Sequence, residues 1–261
     1  MEVKINELPE LTDPSGSHIV GYKGNDTVQI PTDAVVAVSA INHRNVYRGK
    51  NLGLSVTAAQ KAAIQNGTFD DLFIGDYWVI NGVTWVIADM DYFYNCGDTA
   101  FTKHHLVIVP NGSLYNAQMN ESNVTTGGYV GSKMYTENLN SAKATISAAF
   151  GDMVLSHREY LTNAVTDGYP SAWGWFDSTV DLMNGVMVYG THIIFTHANN
   201  TVAKQQLALF ALNPRAINNR QYIWLRDIAS AAYFAYVGHY GYAAYADAWS
   251  SRGVRPEFCI G

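Results

Sequence analysis

The chain has 261 residues, of which 48 % are hydrophobic and 15 % are charged, and its formal net charge is −6. This length allows a large hydrophobic core that needs no covalent cross-links. A mildly acidic chain without a Lys/Arg cluster lacks the charge pattern of a nucleic-acid or anionic-membrane binder, and no apolar run reaches the roughly 18 residues of a membrane span. The start, Met1–Lys4, does not look like a signal peptide. We therefore expect synthesis in a cytoplasm, no nucleic-acid partner and no membrane insertion.

The first 40 residues predict a small, separate unit. Two short apolar stretches, His18–Tyr22 and Thr27–Ile30, flank the tight-turn sequence Lys23–Asp26 and predict a β-hairpin. A short helix over Ala34–Val38 is expected next, capped by the Pro-Thr-Asp sequence before it. Because an isolated hairpin of this size is only marginally stable, we expect the unit to dock on a partner or to oligomerise.

From Asn42 onward the pattern is that of a larger domain. Ser55–Ile64 predicts a helix in which Ser55 is the N-cap. Tyr77–Ala88 is rich in β-branched and aromatic residues and predicts a hairpin with Asn81-Gly82 at its turn. His105–Val109 predicts a further strand.

The second half of the chain is less regular. Residues 111–135 predict a loop, because they are rich in Asn, Ser, Thr and Gly, and Thr136–Phe150 predicts a helix that ends at Gly151. Two short amphipathic segments and then two predicted strands follow, at His157–Val165, Ser178–Met183, Val186–Gly190 and Ile193–Phe195. We place helices in the first two thirds of the chain and strands mainly at residues 77–90 and 186–260. Since no β-α-β alternation occurs, the fold class is predicted to be α+β with antiparallel pairing.

The candidate metal ligands are two pairs of histidines and two pairs of aspartates, at His104/His105, His192/His197, Asp70/Asp71 and Asp89/Asp91. On a strand, the odd offset within each histidine pair would send its two side chains to opposite faces. No cysteine or carboxylate lies at a supporting spacing, and the aspartates lack the pattern of a calcium loop. We therefore predict no metal site and no cofactor, and we interpret the aspartates as turn caps.

The two cysteines, Cys96 and Cys259, do not form a disulfide framework. One bridge between them is conceivable, but two reduced and partly buried thiols are the expected state. The neighbours of Cys259 are Phe258 and Ile260, which favours a core position over a nucleophile. No motif of a hydrolase, zinc protease, dinucleotide enzyme or P-loop protein occurs, so we expect no enzyme.

The most unusual stretch of the chain is tyrosine-rich and lies near the C-terminus. Its five tyrosines are Tyr233, Tyr236, Tyr240, Tyr242 and Tyr245. Their spacing fits neither the period of a strand nor that of a helix throughout, and the Ala and Gly residues between them are too small to fill a core. Tyrosine with small residues is the composition of antibody combining loops, and Tyr, Trp and Arg are the usual anchors of interfaces. A binding surface is therefore favoured, with core aromatics as the alternative.

Two sequence blocks frame this stretch: Trp224-Leu225-Arg226 before it, and Gly253–Phe258 after it. This W-L-R…G-V-R-P-x-F frame resembles the C-terminal end of the C-type-lectin-fold variable proteins of diversity-generating retroelements, many of which are phage tail proteins. The block from Tyr47 to Trp78 is similar to structural proteins of gut phages, and the first 40 residues resemble the N-terminal segment of phage tail fibres.

The resemblance implies a C-type-lectin-like (formylglycine-generating-enzyme-like) domain over residues 41–261, with antiparallel sheets, flanking helices and a variable region at about 224–261. In that family, reverse transcription changes template adenines, so that AAC or AAT codons become Tyr, Ser, Asp and other codons but not Trp codons. The ligand-binding residues implied here are Tyr233, Tyr236, Gly238, His239, Tyr240, Tyr242, Ala244, Tyr245, Asp247, Trp249, Ser250, Ser251 and Arg252. Within this set Trp249 is constant by the codon argument and belongs with the scaffold positions, Phe234, Ala235, Val237, Gly241 and Ala243.

The function that the resemblance implies is that of a receptor-binding protein at the tail tip or tail fibre of a virion. It would be a homotrimer, held to other phage tail proteins through residues 1–40, and it would bind a bacterial cell-surface protein or glycan during host adsorption.

The sequence lacks features of two related families, and each difference argues against one activity. The E-P-N, Q-P-D and W-N-D motifs of calcium-dependent sugar-binding lectins are missing, so sugar binding through calcium is not implied. Formylglycine-generating enzymes share the fold but depend on a close cysteine pair, and Cys96 and Cys259 lack that context. The alternatives are a purely structural tail or baseplate component, whose tyrosines pack against a neighbouring subunit, and, less favoured, an enzyme on this fold.

Overall fold

The computed structural model describes residues 18–23, 26–31, 43–194 and 205–261. The chain divides into two compact units, Met1–His43 and Arg44–Gly261, close to the boundary at residue 40 that the sequence suggests. In the first unit, β1 (His18–Lys23) pairs with β2 (Asp26–Pro31) in antiparallel register, which confirms the predicted hairpin. The helix predicted at residues 34–38 lies outside the described residues. No helix in the described part of the chain is long and apolar enough to cross a membrane.

The second unit is an α+β domain with more strands than helices. Its strands are β3 (Asn51–Gly53), β4 (Tyr77–Ile80), β5 (Val83–Met90), β6 (Leu106–Pro110), β7 (Tyr115–Ala117), β8 (Val154–Leu155), β9 (His157–Thr166), β10 (Tyr169–Ser178), β11 (Asp181–Leu182), β12 (Ile223–Ile228), β13 (Tyr233–Val237), β14 (Ala243–Asp247), β15 (Arg252–Val254) and β16 (Pro256–Ile260). Its helices are α1 (Ala58–Gln65), α2 (Leu139–Phe150), α3 (Gly185–Tyr189) and α4 (Ala208–Leu212). A π-helical turn, Met134–Asn138, leads into α2.

The larger sheet holds most of the hydrophobic core. Its strand order is β11-β16-β6-β5-β4-β3, with β8 also paired to β16, and its neighbours are antiparallel except for the parallel pair β3–β4. Trp85 on β5 is fully buried, and its ring meets those of Phe150 and Phe258 edge-on at centroid distances of 5.6 Å and 5.5 Å. Such edge-to-face packing is the preferred geometry of aromatic rings in a core.

The second sheet has the order β14-β13-β12-β15-β7 and leaves β14 at its edge. The chain passes from this sheet to the larger one at Arg255, the single residue between β15 and β16. Arg255 is buried, and its guanidinium donates hydrogen bonds to the carbonyl oxygens of Pro110 (2.8 Å) and Ala216 (2.9 Å). Burial lowers the pKa of Arg255 to about 10, so the side chain stays charged at neutral pH. A short connection with a buried arginine thus couples the two sheets.

Several local predictions are confirmed. The β4–β5 hairpin turns at Asn81 and Gly82, whose φ angles of 52° and 77° are those of a type I′ turn. Helix α2 ends at Gly151, with φ of 53°, as predicted. The N-cap predicted for α1 is wrong by two residues. Thr57, not Ser55, begins the helix, because Thr57 and Gln60 exchange the two hydrogen bonds of a capping box.

Three segments of the second half differ from their predicted structure. The amphipathic segment at 157–165 is a long strand, β9, paired with β10 through a turn at Asp167-Gly168. The predicted strand at 186–190 is helix α3. There the Asn184 side chain accepts a hydrogen bond from the backbone N–H of Met187 (2.9 Å), and Gly190 ends the helix in the left-handed conformation. Ile193 and Ile194 form no strand, and Phe195 lies outside the described residues.

Candidate ligand-binding surface

The tyrosine-rich stretch forms the outer hairpin of the second sheet. Strand β13 pairs with β14 in antiparallel register, with Tyr233 opposite Asp247 and Tyr236 opposite Ala244. The loop between the strands is closed by hydrogen bonds from the Gly238 N–H to the Tyr242 carbonyl (2.7 Å) and from the Gly241 N–H to the Gly238 carbonyl (2.8 Å). Since β14 is an edge strand, one side of the hairpin is paired with the protein and the other is not.

Four large aromatic side chains of this hairpin and the following loop are exposed. The exposed fractions are 71 % for Tyr240, 45 % for Tyr242, 62 % for Tyr245 and 55 % for Trp249. Most large aromatic side chains of a folded domain are buried, so four exposed ones within ten residues of the sequence form a candidate interaction surface. We call these four residues the aromatic patch.

The remaining predicted ligand-binding residues divide into three classes of exposure. Ser251 is exposed; the half-buried residues are Tyr233, His239, Ala244, Asp247, Ser250 and Arg252; and the buried ones are Tyr236 and Gly238. The two buried residues support the patch from below.

Gly238 shows how that support works. A Cβ atom at this position would lie 2.4 Å from the ring of Tyr242, so the ring folds down onto the glycine. Desolvation, followed by a hydrogen bond with Tyr236, raises the pKa of the Tyr242 phenol, which is therefore neutral at physiological pH. The φ angle of Gly241 is 84°, and its carbonyl accepts a hydrogen bond from the Tyr189 hydroxyl of α3 (3.1 Å). The loop is thereby anchored, and the exposed Tyr240 ring contacts the ring of His239 at a centroid distance of 3.8 Å.

Arg252 lies at the centre of an aromatic stack on the Tyr236 face of the hairpin. Its guanidinium carbon lies 3.9 Å from the ring centroid of Tyr236, 5.0 Å from that of Tyr222 and 5.5 Å from that of Trp224. These are cation–π distances, and they hold a positive charge among aromatic faces. The Tyr222 ring also contacts His239 at a centroid distance of 4.8 Å, which connects the stack to the loop.

A second pair of rings covers the other face of the hairpin. Tyr233 and Tyr245 stack at a centroid distance of 5.5 Å with an angle of 28° between their planes. The two residues are diagonal neighbours on adjacent strands, where long aromatic side chains can meet. Aromatic side chains of the hairpin therefore lie on both of its faces.

Polar residues of the 111–135 segment brace the loop that follows β14. The Asn123 side chain donates to the Asp247 carboxylate (2.6 Å) and accepts a hydrogen bond from the backbone N–H of Trp249 (3.3 Å). Gln118 donates to the carbonyl oxygen of Trp249. Asp247 is thus tied to the scaffold through Asn123.

The framing blocks are buried, as expected of residues that hold the fold. Trp224 and Leu225 are fully buried, and the indole N–H of Trp224 donates to the carbonyl oxygen of Ala117 (2.9 Å). The block 253–258 is buried throughout and runs from one sheet into the other.

Sequence reasoning missed Tyr222, which is 41 % exposed and stands beside Arg252 and His239. It directly precedes β12 and lies outside the tyrosine-rich stretch. Its aromatic side chain two residues before Trp224, on the same face of the extended chain, is the signal that could have indicated it.

The histidine pair 104/105 has structural contacts. His104 Nδ1 lies 2.7 Å from an Asp91 carboxylate oxygen. His105 is fully buried, with Nδ1 donating to the Lys103 carbonyl (2.9 Å) and Nε2 accepting from the Phe93 N–H (3.1 Å). Burial lowers the pKa of His105 to about 4, so its imidazole is neutral. His192 is exposed, and His197 lies outside the described residues.

The aspartates and cysteines occupy ordinary structural positions. Asp71 binds Arg48 and Lys50, and the buried Asp89 binds Arg44 and the backbone N–H of Ala208. No disulfide links Cys96 and Cys259. Burial raises the pKa of the Cys259 thiol well above its usual range, which makes it a poor nucleophile.

Sequence reasoning also missed a buried cluster formed by His157, Glu159 and Glu257. His157 and Glu159 are two residues apart on β9, so their side chains share one face of the strand. This His-x-Glu spacing was the available signal, but it is informative only once the segment is known to be a strand.

Comparison of the chain with protein-family models, with curated proteins and with solved structures found no match.

Proposed function

We propose that this chain is a phage tail-associated receptor-binding protein. In this proposal a C-type-lectin-like domain, residues 41–261, presents the aromatic patch to a protein or glycan on a bacterial surface, and residues 1–40 attach the chain to other tail proteins. The observation that carries the proposal is the exposure of Tyr240, Tyr242, Tyr245 and Trp249 on an edge hairpin whose framing residues are buried.

The physical chemistry of the patch suits recognition. Tyrosine and tryptophan offer wide amphipathic contact and lose few rotamers on binding. The loop of Tyr240 and Tyr242 is anchored by backbone hydrogen bonds, and the Trp249 loop is braced by Asn123, so little ordering is needed when a ligand binds. In a homotrimer, three weak copies of the patch would reinforce one another through avidity.

Burial agrees only in part with the division of the tyrosine-rich stretch into variable and scaffold residues. Tyr236 and Gly238 belong to the implied variable set, yet their side-chain positions lie beneath Arg252 and Tyr242. In the proposal, a change at either position reshapes the patch from below rather than by direct contact. Of the scaffold positions, Phe234, Ala235 and Val237 are buried, whereas Gly241 is half-buried and Ala243 and Trp249 are exposed.

The test is the triple substitution Tyr240→Ala, Tyr242→Ala and Tyr245→Ala in the full chain. We expect binding of the labelled protein to intact cells of strains that support the parent phage to fall by at least about 100-fold, since each lost aromatic anchor costs roughly 1–2 kcal/mol. The free energy of unfolding should change by less than about 1 kcal/mol, because these side chains are exposed.

A matched control is Tyr94→Ala, which removes another exposed tyrosine from the larger unit and should leave cell binding unchanged. Loss of binding without a change in the mass of the oligomer supports the proposal. A triple variant that binds cells normally but no longer assembles would favour the structural tail component, whose tyrosines pack against a neighbouring subunit.

A further inference from the structure

The buried cluster of charged residues joins three parts of the second unit. His157 and Glu159 come from β9, Glu257 comes from β16 in the larger sheet, and Arg226 comes from β12 in the second sheet. All four side chains are at least nine-tenths buried. Strands of three different sheets therefore bring titratable groups to one point in the interior.

The contacts within the cluster are few and long. Arg226 donates to one oxygen of Glu159, Oε2, at 3.1 Å. The other oxygen, Oε1, lies 3.7 Å from His157 Nε2, and Glu257 Oε1 lies 3.9 Å from Arg226 Nη1. Both of these distances exceed that of a hydrogen bond.

Six polar atoms of the cluster consequently lack a hydrogen-bond partner among the described residues. They are His157 Nδ1 and Nε2, Glu159 Oε1, Glu257 Oε1 and Oε2, and Arg226 Nη1. Buried polar atoms are almost always paired, and an unpaired buried carboxylate is among the most costly groups in a protein interior. So many unpaired atoms at one point indicate a bound species that the chain itself does not supply.

We propose that His157, Glu159 and Glu257 bind a divalent transition-metal ion, with Zn²⁺ the ion that fits best. One ligand atom from each of the three residues lies within 4.8 Å of the other two. Ligand atoms around tetrahedral zinc lie roughly 3.4 Å apart, so small side-chain rotations bring the three atoms to coordinating positions. One imidazole nitrogen and two carboxylate oxygens form a ligand set that zinc accepts.

The charge balance of the surroundings favours a dication. The Glu159, Asp181 and Glu257 carboxyl groups all interact with the guanidinium of Arg226, so three carboxyl groups surround one cationic side chain. Asp181 is already bound by the hydroxyls of Tyr129 and Ser178, which leaves Glu159 and Glu257 as the carboxylates with free oxygens. Arg226 holds the outer oxygen of Glu159 and would thus orient its inner oxygen toward the ion, as second-shell groups do in metal sites.

A surface cleft lies next to the cluster. His157 lines a surface cleft of about 320 Å³ together with Phe101, Arg158 and Asp177. The His157 ring, which packs on Phe93 at a centroid distance of 4.1 Å, therefore borders both the cleft and the cluster. Because the ligands come from two strands of different sheets, a bound ion would tie β9 to β16.

The competing explanation is a proton on Glu257. Burial and the nearby Glu159 carboxylate raise the pKa of Glu257 well above its usual range, and a protonated Glu257 would carry no charge. The two explanations differ in what Glu257→Gln does, because glutamine imitates a protonated glutamate but does not replace a carboxylate ligand.

The experiment uses the full chain, purified from medium that contains Zn²⁺ and Mn²⁺. Metal content is measured by mass spectrometry, and thermal unfolding is followed before and after removal of metal with a chelator. We expect about one ion per chain, and we expect Zn²⁺ at a thousand-fold excess over its Kd to raise the unfolding midpoint of the stripped protein by roughly 8 °C or more. The tetrahedral visible absorption of added Co²⁺ provides a spectroscopic readout of the ligand set.

Two variants and one control decide the outcome. Glu257→Gln and His157→Gln should each lose the ion and the metal-induced shift, whereas His104→Gln, which changes a partly exposed histidine bound to Asp91, should keep both. A wild-type chain that binds no metal, with Glu257→Gln at least as stable as wild type, would overturn the proposal in favour of the proton. Metal binding that survives in Glu257→Gln and His157→Gln would also overturn it. This result does not depend on cell binding by the aromatic patch.

Discussion

The hairpins β4–β5 and β13–β14 are built from similar residues but have opposite environments. In β4–β5, Trp78 and Trp85 lie directly opposite each other and are fully buried. In β13–β14, Tyr245 lies opposite Ala235 and is mostly exposed. Both hairpins are aromatic and antiparallel, so residue class alone does not decide burial.

The difference comes from what lies next to each hairpin. Strands β4 and β5 are flanked on both sides in the larger sheet, the indole N–H of Trp78 donates to Gln60 of α1 (3.1 Å), and the end of α2 covers Trp85 through Phe150. Strand β14 is at a sheet edge and is braced from one side by the 118–123 segment. In this chain, aromatic side chains are buried where helices cover the sheet and are exposed where they lie on its edge strand.

Among the substitutions that test this difference between the hairpins, Trp85→Ala should have the largest effect on stability. Removing the indole leaves a cavity between Phe150 and Phe258, and we expect the free energy of unfolding to fall by about 3–5 kcal/mol. Denaturant unfolding measures the loss. The matched control is Tyr245→Ala, which should change the free energy of unfolding by no more than about 0.5 kcal/mol. Equal losses of unfolding free energy in the two variants would contradict the difference in burial between the two hairpins.

The second effect concerns the pH dependence of stability, because aromatic side chains of the core surround His105, whose imidazole is neutral. The rings of Phe93 and Phe101 lie 6.1 Å and 4.8 Å from that of His105, whose pKa burial lowers to about 4. The unfolded chain binds a proton on this imidazole below about pH 6.5, whereas the folded chain does so only near pH 4. The stability that His105 contributes is therefore lost as the pH falls through this window, by about 3 kcal/mol in all.

The variant His105→Gln removes this titration while keeping a donor and an acceptor at the site. Unfolding free energies measured at several pH values between 7 and 4 should show a slope shallower by about one proton in the variant. Because other buried groups titrate in both proteins, the difference between the two slopes isolates His105. Parallel slopes would contradict the assignment.

The smallest effect on stability is expected for Gly238→Ala. The new Cβ meets the far end of the Tyr242 ring, so the ring swings outward while the backbone stays in place. We expect a loss of no more than about 1 kcal/mol in the free energy of unfolding. The nitration rate of Tyr242, followed by peptide mass spectrometry, should increase, whereas that of Tyr94 should stay the same. An unchanged nitration rate at Tyr242 would show that the ring does not rest on Gly238.

The elements that could be predicted from this sequence are those that local residue chemistry decides. The Asn81-Gly82 turn and the helix end at Gly151 were predictable, because glycine and asparagine take positive φ angles at little cost. The β1–β2 pairing was predictable from its two short apolar stretches. The α3 segment was not, since its run of Val and Met favours a strand, while the Asn184 cap and Gly190 stabilise a single helical turn. Strand β9 was hidden for another reason. Its buried face includes His157 and Glu159, so its alternation is not one of hydrophobicity.

The sequence by itself determined that the tyrosine spacing follows neither a strand period nor a helix period throughout, and that Asn81-Gly82 marks a turn. The exposure of Tyr240 and the burial of Tyr236 were decided by the tertiary structure, because they depend on which strand forms the edge of the sheet and on where Arg252 lies. The cluster of His157, Glu159 and Glu257 exists only in three dimensions, since it joins residues that are about 100 positions apart in the sequence. Local chemistry sets turns and caps, whereas packing between distant strands decides which side chains meet and which remain at the surface.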